Sequence, residues 1–441
     1  MKTRTRIWSL MNSVLELLVG FGLVIYITRT YSLDESGRWF LFIAIFALIS
    51  GLRDALIQSA LIKSTVGIFT TDADNALKTN LVVTLLFELV AGTLVSMSGW
   101  LMHTELGNLL LFYPAYSFPN AFFRWQTFYW RSQFRTRTIF ITNFIQILAL
   151  SGGLYWLYLH PSPLYYLIVL LGGTSAVASL YASVLMPWRK LLQANVGWSH
   201  LKVILFYGSY AMMREAVSAV SSRISLFFSG SLLGLQQTAI LGLSQRFAQV
   251  ALLPNNAFQS LLFPSLVKSV NDNRPEELRE KIESSLAQLL ALTLPPALLG
   301  VVLSPWLLTW VSGDVYRSGW GLLSVFLIVS TIITPFGAAF GSLVTALHKP
   351  SVAFRVVLVN SVINIVLGFV LMKSLGLWGA PLAMLGTEVF GFIWISSIAR
   401  SMAGVRFASV FTQIPSVYHR LYSKAADRFF IDRKSSSYVN P

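Results

Sequence analysis

The chain has 441 residues, of which 55% are hydrophobic and only 12% are charged, and its net charge at pH 7 is +15. A soluble globular domain carries about 25% charged residues, so this sequence has too few polar side chains to cover a soluble core of this size. Cysteine is absent, which excludes disulfides, thiol nucleophiles and thiolate metal sites.

Apolar runs of about 20 residues, the length that spans a hydrocarbon core, recur along the whole chain. The first run lacks the small-residue cleavage site of a signal peptide. We predict an all-α polytopic membrane protein, because open strands would leave unpaired edge groups in lipid. The twelve predicted helices are 7–29, 39–62, 79–101, 107–130, 138–159, 164–187, 203–228, 238–262, 286–310, 320–346, 352–372 and 378–399.

The basic residues between these helices are distributed unequally. With the N-terminus placed in the cytoplasm, 24 of the 33 Lys and Arg residues lie on the inner side and 4 on the outer side. This strong positive-inside bias accounts for the basic charge without nucleic acid as a partner. We therefore predict a multi-pass protein with both termini in the cytoplasm.

A short internal similarity suggests a repeat. Residues 33–39 resemble residues 235–241, about half a chain later. Six helices per half would make the halves parallel repeats about an axis along the membrane normal. The predicted domains are an N-terminal six-helix lobe at 1–190, a C-terminal six-helix lobe at 191–405 and a basic cytoplasmic tail at 406–441.

Two inner segments carry most of the remaining polar residues. The connection 264–285 is rich in both charge signs, and we predict a solvated amphipathic helix that joins the two halves. In the tail, Phe407, Phe411, Tyr418, Leu421 and Tyr422 recur at helical spacing among basic residues. This pattern predicts a helix on the membrane surface, attracted by anionic lipids.

Ten ionisable side chains fall inside predicted helices, where each costs about 2.5–3.5 kcal/mol at a helix centre on the insertion scale. We predict that they face one another or a wet cavity. The competing interpretations are interhelical hydrogen bonds that only hold the bundle together and, for Arg124, an interfacial anchor. The ten residues are Arg53, Arg124, Arg214, Arg223, Arg246, Glu16, Asp54, Glu88, Glu215 and Glu388.

The seventh and eighth predicted helices carry three arginines against Glu215 alone. The planar fork of arginine matches phosphate oxygens bidentately, so this local excess favours an anionic substrate. The predicted substrate-binding residues are Arg53, Arg124, Arg214, Arg223, Arg246, Asn120 and Gln249. The carboxylates could be protonated, paired with arginines or used for ion coupling, and the coupling candidates are Glu16, Asp54, Glu88, Glu215 and Glu388.

Enzyme motifs are poorly represented. The five histidines are scattered among predicted loops and the tail, and no HExxH metal motif or Gly-rich phosphate loop occurs. We therefore expect neither catalytic residues, nor a metal site, nor a cofactor. Transport coupled to H⁺ or Na⁺ remains compatible with the buried acids.

Several segments of the C-terminal half form a recognisable series: 313–316, Gly319-Trp320, 342–350, Asn360, Asn364 and 376–383. Together with 33–37 and 51–58 near the N-terminus, they resemble the O-antigen-type polysaccharide flippases. These flippases are a branch of the multidrug/oligosaccharidyl-lipid/polysaccharide exporter superfamily. Pro381 departs from the family pattern, which usually has a small residue there.

The resemblance implies two six-helix lobes around a V-shaped central cavity in a bacterial plasma (inner) membrane. It also implies an undecaprenyl-diphosphate-linked oligosaccharide as substrate, flipped from the cytoplasmic to the outer leaflet by alternating access for surface polysaccharide biosynthesis. Arg53 and Arg246 lie on helices that carry cavity arginines in related lipid II flippases. Membrane lipids and polysaccharide polymerase or assembly proteins are the implied partners.

Two alternatives remain open. A cation-coupled multidrug or metabolite antiporter of the same superfamily would prefer an acidic cavity, which the arginine excess disfavours. An integral-membrane sugar polymerase or acyltransferase would need a large outer loop or an accompanied histidine, and the sequence predicts neither.

Overall fold

The computed structural model describes residues 3–66, 73–133 and 135–436, and all regular secondary structure in these ranges is helical. This confirms the predicted all-α class. The α-helices are α1 Thr3–Thr30, α2 Leu33–Val66, α3 Ala73–Met102, α4 Glu105–Leu111, α5 Tyr113–Ser132, α6 Thr136–Leu159, α7 Tyr165–Val184, α8 Trp188–Gln193, α9 Trp198–Phe228, α10 Leu235–Ala248, α11 Leu253–Asn271, α12 Pro275–Ser312, α13 Trp320–Ile332, α14 Thr334–Ala346, α15 Pro350–Leu375, α16 Gly379–Ala403 and α17 Phe407–Ser436.

Eight helical stretches in the described ranges are long and apolar enough to cross a membrane. One of them, Ser351–Ala403, contains both of the last two predicted helices. The predicted helices at 7–29, 107–130 and 238–262 are not among the eight. A multi-pass membrane protein is therefore confirmed, whereas the count of twelve stays a prediction.

Three stretches predicted as single helices are divided by prolines. The run 107–130 is split between α4 and α5 just before Pro114, and 320–346 is split between α13 and α14 just before Pro335. In 238–262, the 3₁₀ turn Gln249–Leu252 separates α10 from α11, which has Pro254 in its first turn. Proline lacks the N–H that would bond to the preceding turn, so it is tolerated in the first turn of a helix, and each break falls just before that turn.

The chain divides into two compact units, Met1–Ala239 (unit 1) and Ile240–Pro441 (unit 2). The core of unit 1 includes Trp39, Phe42 and Tyr113, and that of unit 2 is built around Phe336. In unit 1, α2 packs against α3, α5 and α9, which places the charged residues of these helices near one another. The predicted lobe boundary at residue 190 stays a prediction.

The two segments that resemble each other in sequence meet inside unit 1. Gln236 Nε2 donates to Asp34 Oδ2 at 3.3 Å, and these residues hold equivalent positions in the similarity. A Cβ atom on Gly37 would lie 2.1 Å from the carbonyl oxygen of Leu235, so only glycine permits this approach. The second segment is preceded by a π-helical turn, Ser229–Leu233, which ends at Gly234 with φ +99°.

The C-terminal tail is helical, as predicted, and its aromatic face contacts other parts of unit 2. Phe407 and Phe411 contact Phe336, with ring centroids 5.3 and 5.5 Å apart, and Tyr418 donates to the carbonyl of Ala291 at 2.7 Å. The apolar side of the first half of α17 thus completes the core of unit 2, and the membrane-surface position stays a prediction.

Candidate functional site: buried ion pairs and exposed arginines

Five of the predicted site residues form one network in unit 1. Arg53 on α2 is ion-paired with its neighbour Asp54 at 2.8 Å and with Glu88 on α3. Arg53 Nη2 also donates to Asn120 Oδ1 at 3.3 Å, and Arg124 Nε donates to Asp54 Oδ2 at 3.0 Å. Asp54 therefore bridges two arginines, and the four charges of the network cancel.

Helix geometry explains how three separate helices supply this network. Asn120 and Arg124 are four residues apart on α5, so both face the same side of that helix. That side meets α2, and α3 brings Glu88 to the other end of the Arg53 guanidinium. The prediction that the intramembrane charges face one another is confirmed for these residues.

The two arginines of the network differ in how far their side chains are exposed to solvent. The side chain of Arg53 is 1% exposed, whereas that of Arg124 is 33% exposed. Arg53 is therefore enclosed in this conformation, and a ligand could reach it only if Asp54 or Glu88 moved. Its predicted role in substrate binding stays a prediction, and Arg124 is the more accessible member of the pair.

Glu88 has two carboxylate oxygens in different surroundings. Oε1 pairs with Arg53, whereas Oε2 is buried and has no hydrogen-bond partner. The hydroxyls of Tyr113 and Ser117 on α5 are likewise buried without a partner. A buried carboxylate oxygen without a donor is costly, so this end of Glu88 is the place in the network where a proton would be accommodated.

The arginines of α9 lie in a different environment. Arg214 is exposed, and Arg223 is partly buried and donates to Ser222 Oγ at 3.1 Å and to the Ala219 carbonyl at 3.3 Å. Within the described part of the chain, neither has an acid within 4 Å. Glu215 instead lies against Gly51 of α2, where an added Cβ would come within 3.3 Å of its Oε1.

Arg246 occupies the last turn of α10 and is exposed. Its Nη1 donates to Gln249 Oε1 at 2.9 Å, so two predicted site residues contact each other at the break between α10 and α11. A cation at a helix C-terminus is stabilised by the helix dipole. Among the described residues, no acid pairs with Arg246.

The remaining candidates are more isolated. Glu388 on α16 is partly buried and makes no hydrogen bond or ion pair within the described residues. The side chain of Glu16 lies outside the described part of the structure. In that part, no group of three His, Asp or Glu residues could hold a metal ion.

One buried acid was not recognised from the sequence. Glu283 on α12 is 5% exposed, and it accepts hydrogen bonds from Arg279 Nε at 3.0 Å, the Arg406 backbone at 2.7 Å and Ser409 Oγ at 2.9 Å. The charge pattern of residues 264–285 predicts a solvated helix for this segment. Its other ion pairs, such as Arg274 with Glu277, are indeed on the surface. The arginine four residues before Glu283 was the only sequence signal of pairing.

Residues 26–319 match the model of a family described as "Polysaccharide biosynthesis protein". The chain is 25% identical over 219 residues to the probable low-salt glycan biosynthesis flippase Agl15 of Haloferax volcanii. This match covers 49% of the present chain and 43% of that relative, so it spans less than half of the relative's length.

Three solved structures have a similar fold at low sequence identity. The lipid II flippase MurJ in an inward closed conformation has a TM-score of 0.70 at 15% identity, over 95% of this chain and 92% of MurJ. An inward-facing multidrug resistance MATE family transporter of the MOP superfamily has a TM-score of 0.69 at 15% identity, over 89% and 96%. A MOP superfamily transporter from Pyrococcus furiosus has a TM-score of 0.63 at 14% identity, over 89% and 94%.

The family match covers more than half of the chain, and the three structures share its fold. The resemblance read from the sequence is thereby confirmed: the chain is a multi-pass membrane protein that belongs to the polysaccharide biosynthesis protein family and has the fold of the MOP superfamily transporters.

Proposed function

We propose that this protein is a flippase that moves an undecaprenyl-diphosphate-linked oligosaccharide across a bacterial plasma membrane. The substrate would pass from the cytoplasmic to the outer leaflet by alternating access and supply a surface polysaccharide. Polysaccharide polymerase or assembly proteins would act on the product. In this orientation both termini are cytoplasmic, as the positive-inside bias favours.

The observation that carries the proposal is the exposed guanidinium of Arg214. It lies on Ala211–Leu233, a stretch apolar enough to cross a membrane, and no described acid neutralises it. At a helix centre an arginine that faced lipid tails would cost about 2.5–3.5 kcal/mol, and Arg214 lies near the middle of α9, so its exposed side chain favours a water-filled surface. A guanidinium in such a place is suited to bind a diphosphate bidentately.

In unit 1, Arg223 and Arg124, which are both partly exposed, are further candidate donors. In unit 2, the exposed Arg246 with Gln249 is a separate candidate. The named relative, a probable flippase of glycan biosynthesis, supports a glycan carrier as the anion. The phosphates would bind the arginines, whereas the glycan and the lipid tail would need other surfaces.

Glu88 is our first candidate for ion coupling, because one of its oxygens is buried without a donor while the other holds Arg53. Protonation of Glu88 would weaken its hold on Arg53 Nη1, whereas Arg53 Nε and Nη2 would stay with Asp54. Asp54 would retain its two arginine partners in either state. Glu215 and Glu388, which have no described ion-pair partner within 4 Å, are further candidates, with H⁺ or Na⁺ as the coupling ion.

The second candidate function is a cation-coupled multidrug antiporter, which the structural likeness to a MATE transporter would permit. A cationic drug needs accessible carboxylates. In the described part of unit 1, Asp54 and Glu88 are both held by arginines, and Glu88 is fully buried. This arrangement favours an anionic substrate.

The proposal is tested by leaflet transfer in proteoliposomes. The probe is a fluorescent undecaprenyl diphosphate that carries a short oligosaccharide, and transfer is read as the fraction protected from an outside quencher. We expect Arg214→Ala and Arg246→Ala each to slow transfer about tenfold, the size of one lost charge-assisted contact. Arg274→Ala, at the exposed start of α12, is the matched control and should transfer at the wild-type rate. Absence of transfer by the wild type, or unchanged transfer in both variants, would refute the proposal.

A further inference from the structure

A cavity lies at one end of unit 1, on a different part of α2 from Arg53 and Asp54. The cavity has a volume of about 350 Å³ and lies between the start of α2, the short α4 and the start of α7. This volume is within the range of small-molecule sites, about 300–1,000 Å³. The polar and aromatic side chains that line it are Glu35, Arg38, Glu105, Asn108, Phe112 and Tyr165.

The cavity lies at the end of unit 1 that we assign to the outer side. Tyr31, in the turn between α1 and α2, donates to the carbonyl of Ser162, in the loop between α6 and α7, at 3.1 Å. These two turns therefore meet at the same end as the cavity. The connections at the other end, after α2, α5 and α7, together with the helix ends beside them, hold eight basic residues, against Arg29 and Arg38 at the cavity end, so the positive-inside rule places the cavity outside.

The walls of the cavity combine two kinds of surface. Phe112 and Tyr165 are stacked, with ring centroids 4.8 Å apart and planes at 13°, and form an aromatic wall. Glu105 and Glu35 offer acceptors, whereas the Arg38 guanidinium and the Asn108 amide offer donors. A sugar ring presents an apolar C–H face and a rim of hydroxyls that both donate and accept, so it matches both kinds of surface.

The charges of the cavity indicate which sugars it would take. Arg38 Nη1 lies 3.9 Å from Glu105 Oε2, and Glu35 accepts hydrogen bonds from the backbone and hydroxyl of Ser32 at 3.0 and 2.8 Å. Two carboxylates against one guanidinium leave a net charge of −1. A neutral or amino sugar is compatible with this charge, whereas the carboxylate of a uronic acid would be repelled.

We propose that this outer cavity is a saccharide-binding site, which holds a neutral or amino sugar unit of the glycan after it reaches the outer side. This inference rests on the proposed function, because it gives the cavity the same substrate. It adds a site for the glycan, separate from the arginines that would bind the phosphates.

The experiment measures binding of free monosaccharides to the full chain in lipid nanodiscs by saturation-transfer NMR. The probes are glucose, glucosamine, N-acetylglucosamine and glucuronic acid. We expect transfer to at least one of the first three sugars and none to glucuronic acid. Asn108→Ala and Tyr165→Leu should each weaken binding about tenfold, as expected for one lost polar or stacking contact. Asn108 is exposed, so its substitution should leave the fold intact.

Asn271→Ala, an exposed asparagine at the end of α11, is the matched control and should bind as the wild type does. Glu105→Gln supplies a second test, because removing one charge should allow glucuronic acid to bind. The inference is overturned if no sugar binds, if glucuronic acid binds the wild type as well as the neutral sugars do, or if both cavity variants bind normally. Since this readout needs no transport, a protein that flips lipid but binds no sugar refutes only this inference. One that binds sugar but does not flip lipid refutes only the proposed function.

Discussion

Arg53 and Glu88 are ion-paired between α2 and α3, with side chains that are 1% and 0% exposed. A charge that is removed from water depends on its partners for stabilisation. Within the described residues, Glu88 has Arg53 as its sole ion-pair partner, whereas Arg53 is also paired with Asp54. The two members of the pair are therefore unequal, and their substitutions should have unequal effects.

Loss of Arg53 should be the more damaging change. Arg53→Leu leaves Glu88 buried without a counter-charge, and we expect it to destabilise the protein by about 3–5 kcal/mol. Glu88→Leu should cost less, because Arg53 keeps Asp54. The double variant should be more stable than the sum of the single effects predicts. The measurement is the apparent melting temperature in detergent, followed by intrinsic fluorescence.

The partly exposed pair Lys281 and Glu277 on α12 is the control for this cycle, and its coupling should be about 1 kcal/mol or less. Additive effects of Arg53→Leu and Glu88→Leu would show that the two side chains do not stabilise each other. The enclosed ion pair would then be the wrong description of this region.

Gly37 provides a test of the contact between the two similar segments. An alanine Cβ would lie 2.1 Å from the Leu235 carbonyl oxygen, a backbone atom that cannot move aside without shifting its helix. We expect Gly37→Ala to destabilise by about 1–3 kcal/mol, as overpacking does elsewhere. Gly152→Ala in α6, which has open space around its Cβ, should be neutral or stabilising by up to about 1 kcal/mol. If the Gly37→Ala variant has a melting temperature no lower than that of the Gly152→Ala variant, Gly37 does not lie as close to the Leu235 carbonyl as described.

Hydropathy predicted each of the eight membrane-length stretches of the described residues, because length and apolar content are local properties. Hydropathy did not predict where the helices break, because proline occurs both at breaks and inside continuous helices. Pro335 begins α14 after a break, whereas Pro264 and Pro295 lie inside continuous helices. What separates these cases is the packing around each proline, which single-sequence patterns do not contain.

The candidate site was predicted as a set of residue types but not as an arrangement. Arg53, Asp54, Glu88 and Arg124 were identified because charge is costly in lipid. Their partners could not be assigned, because Glu88 is 35 positions away from Arg53 and neighbouring helices must first be placed. For the same reason Glu283 was not identified as a buried acid, because its partners at residues 406 and 409 lie more than 120 positions away in the sequence.

Glu283 should hold the start of α17 against α12 and the rest of unit 2. Its carboxylate accepts hydrogen bonds from the Arg406 backbone and Ser409 Oγ at the start of α17, which is the position of a helix N-cap. We expect Glu283→Ala to weaken docking by about 1–2 kcal/mol and to increase cleavage of the tail in limited proteolysis. Glu280→Ala, on the exposed side of the same helix, should not change the cleavage rate. Equal cleavage of both variants would mean that the apolar contacts of Phe407 alone hold the tail.

Arg246 allows charge to be separated from guanidinium geometry. Arg246→Lys keeps the positive charge but loses the planar fork, and it also loses the contact with Gln249 Oε1 that orients the side chain. If the arginine binds a diphosphate bidentately, transfer of the fluorescent lipid should fall between the rates of the wild type and of Arg246→Ala. Gln249→Ala should have a smaller effect than Arg246→Ala, because it removes only the orienting contact.

A lysine variant as fast as the wild type would show that charge alone suffices, whereas one as slow as the alanine variant would show that the fork is indispensable. Either result would contradict the expected intermediate rate of the lysine variant. A lysine variant as fast as the wild type would favour Arg214 on α9 as the residue that binds phosphate bidentately.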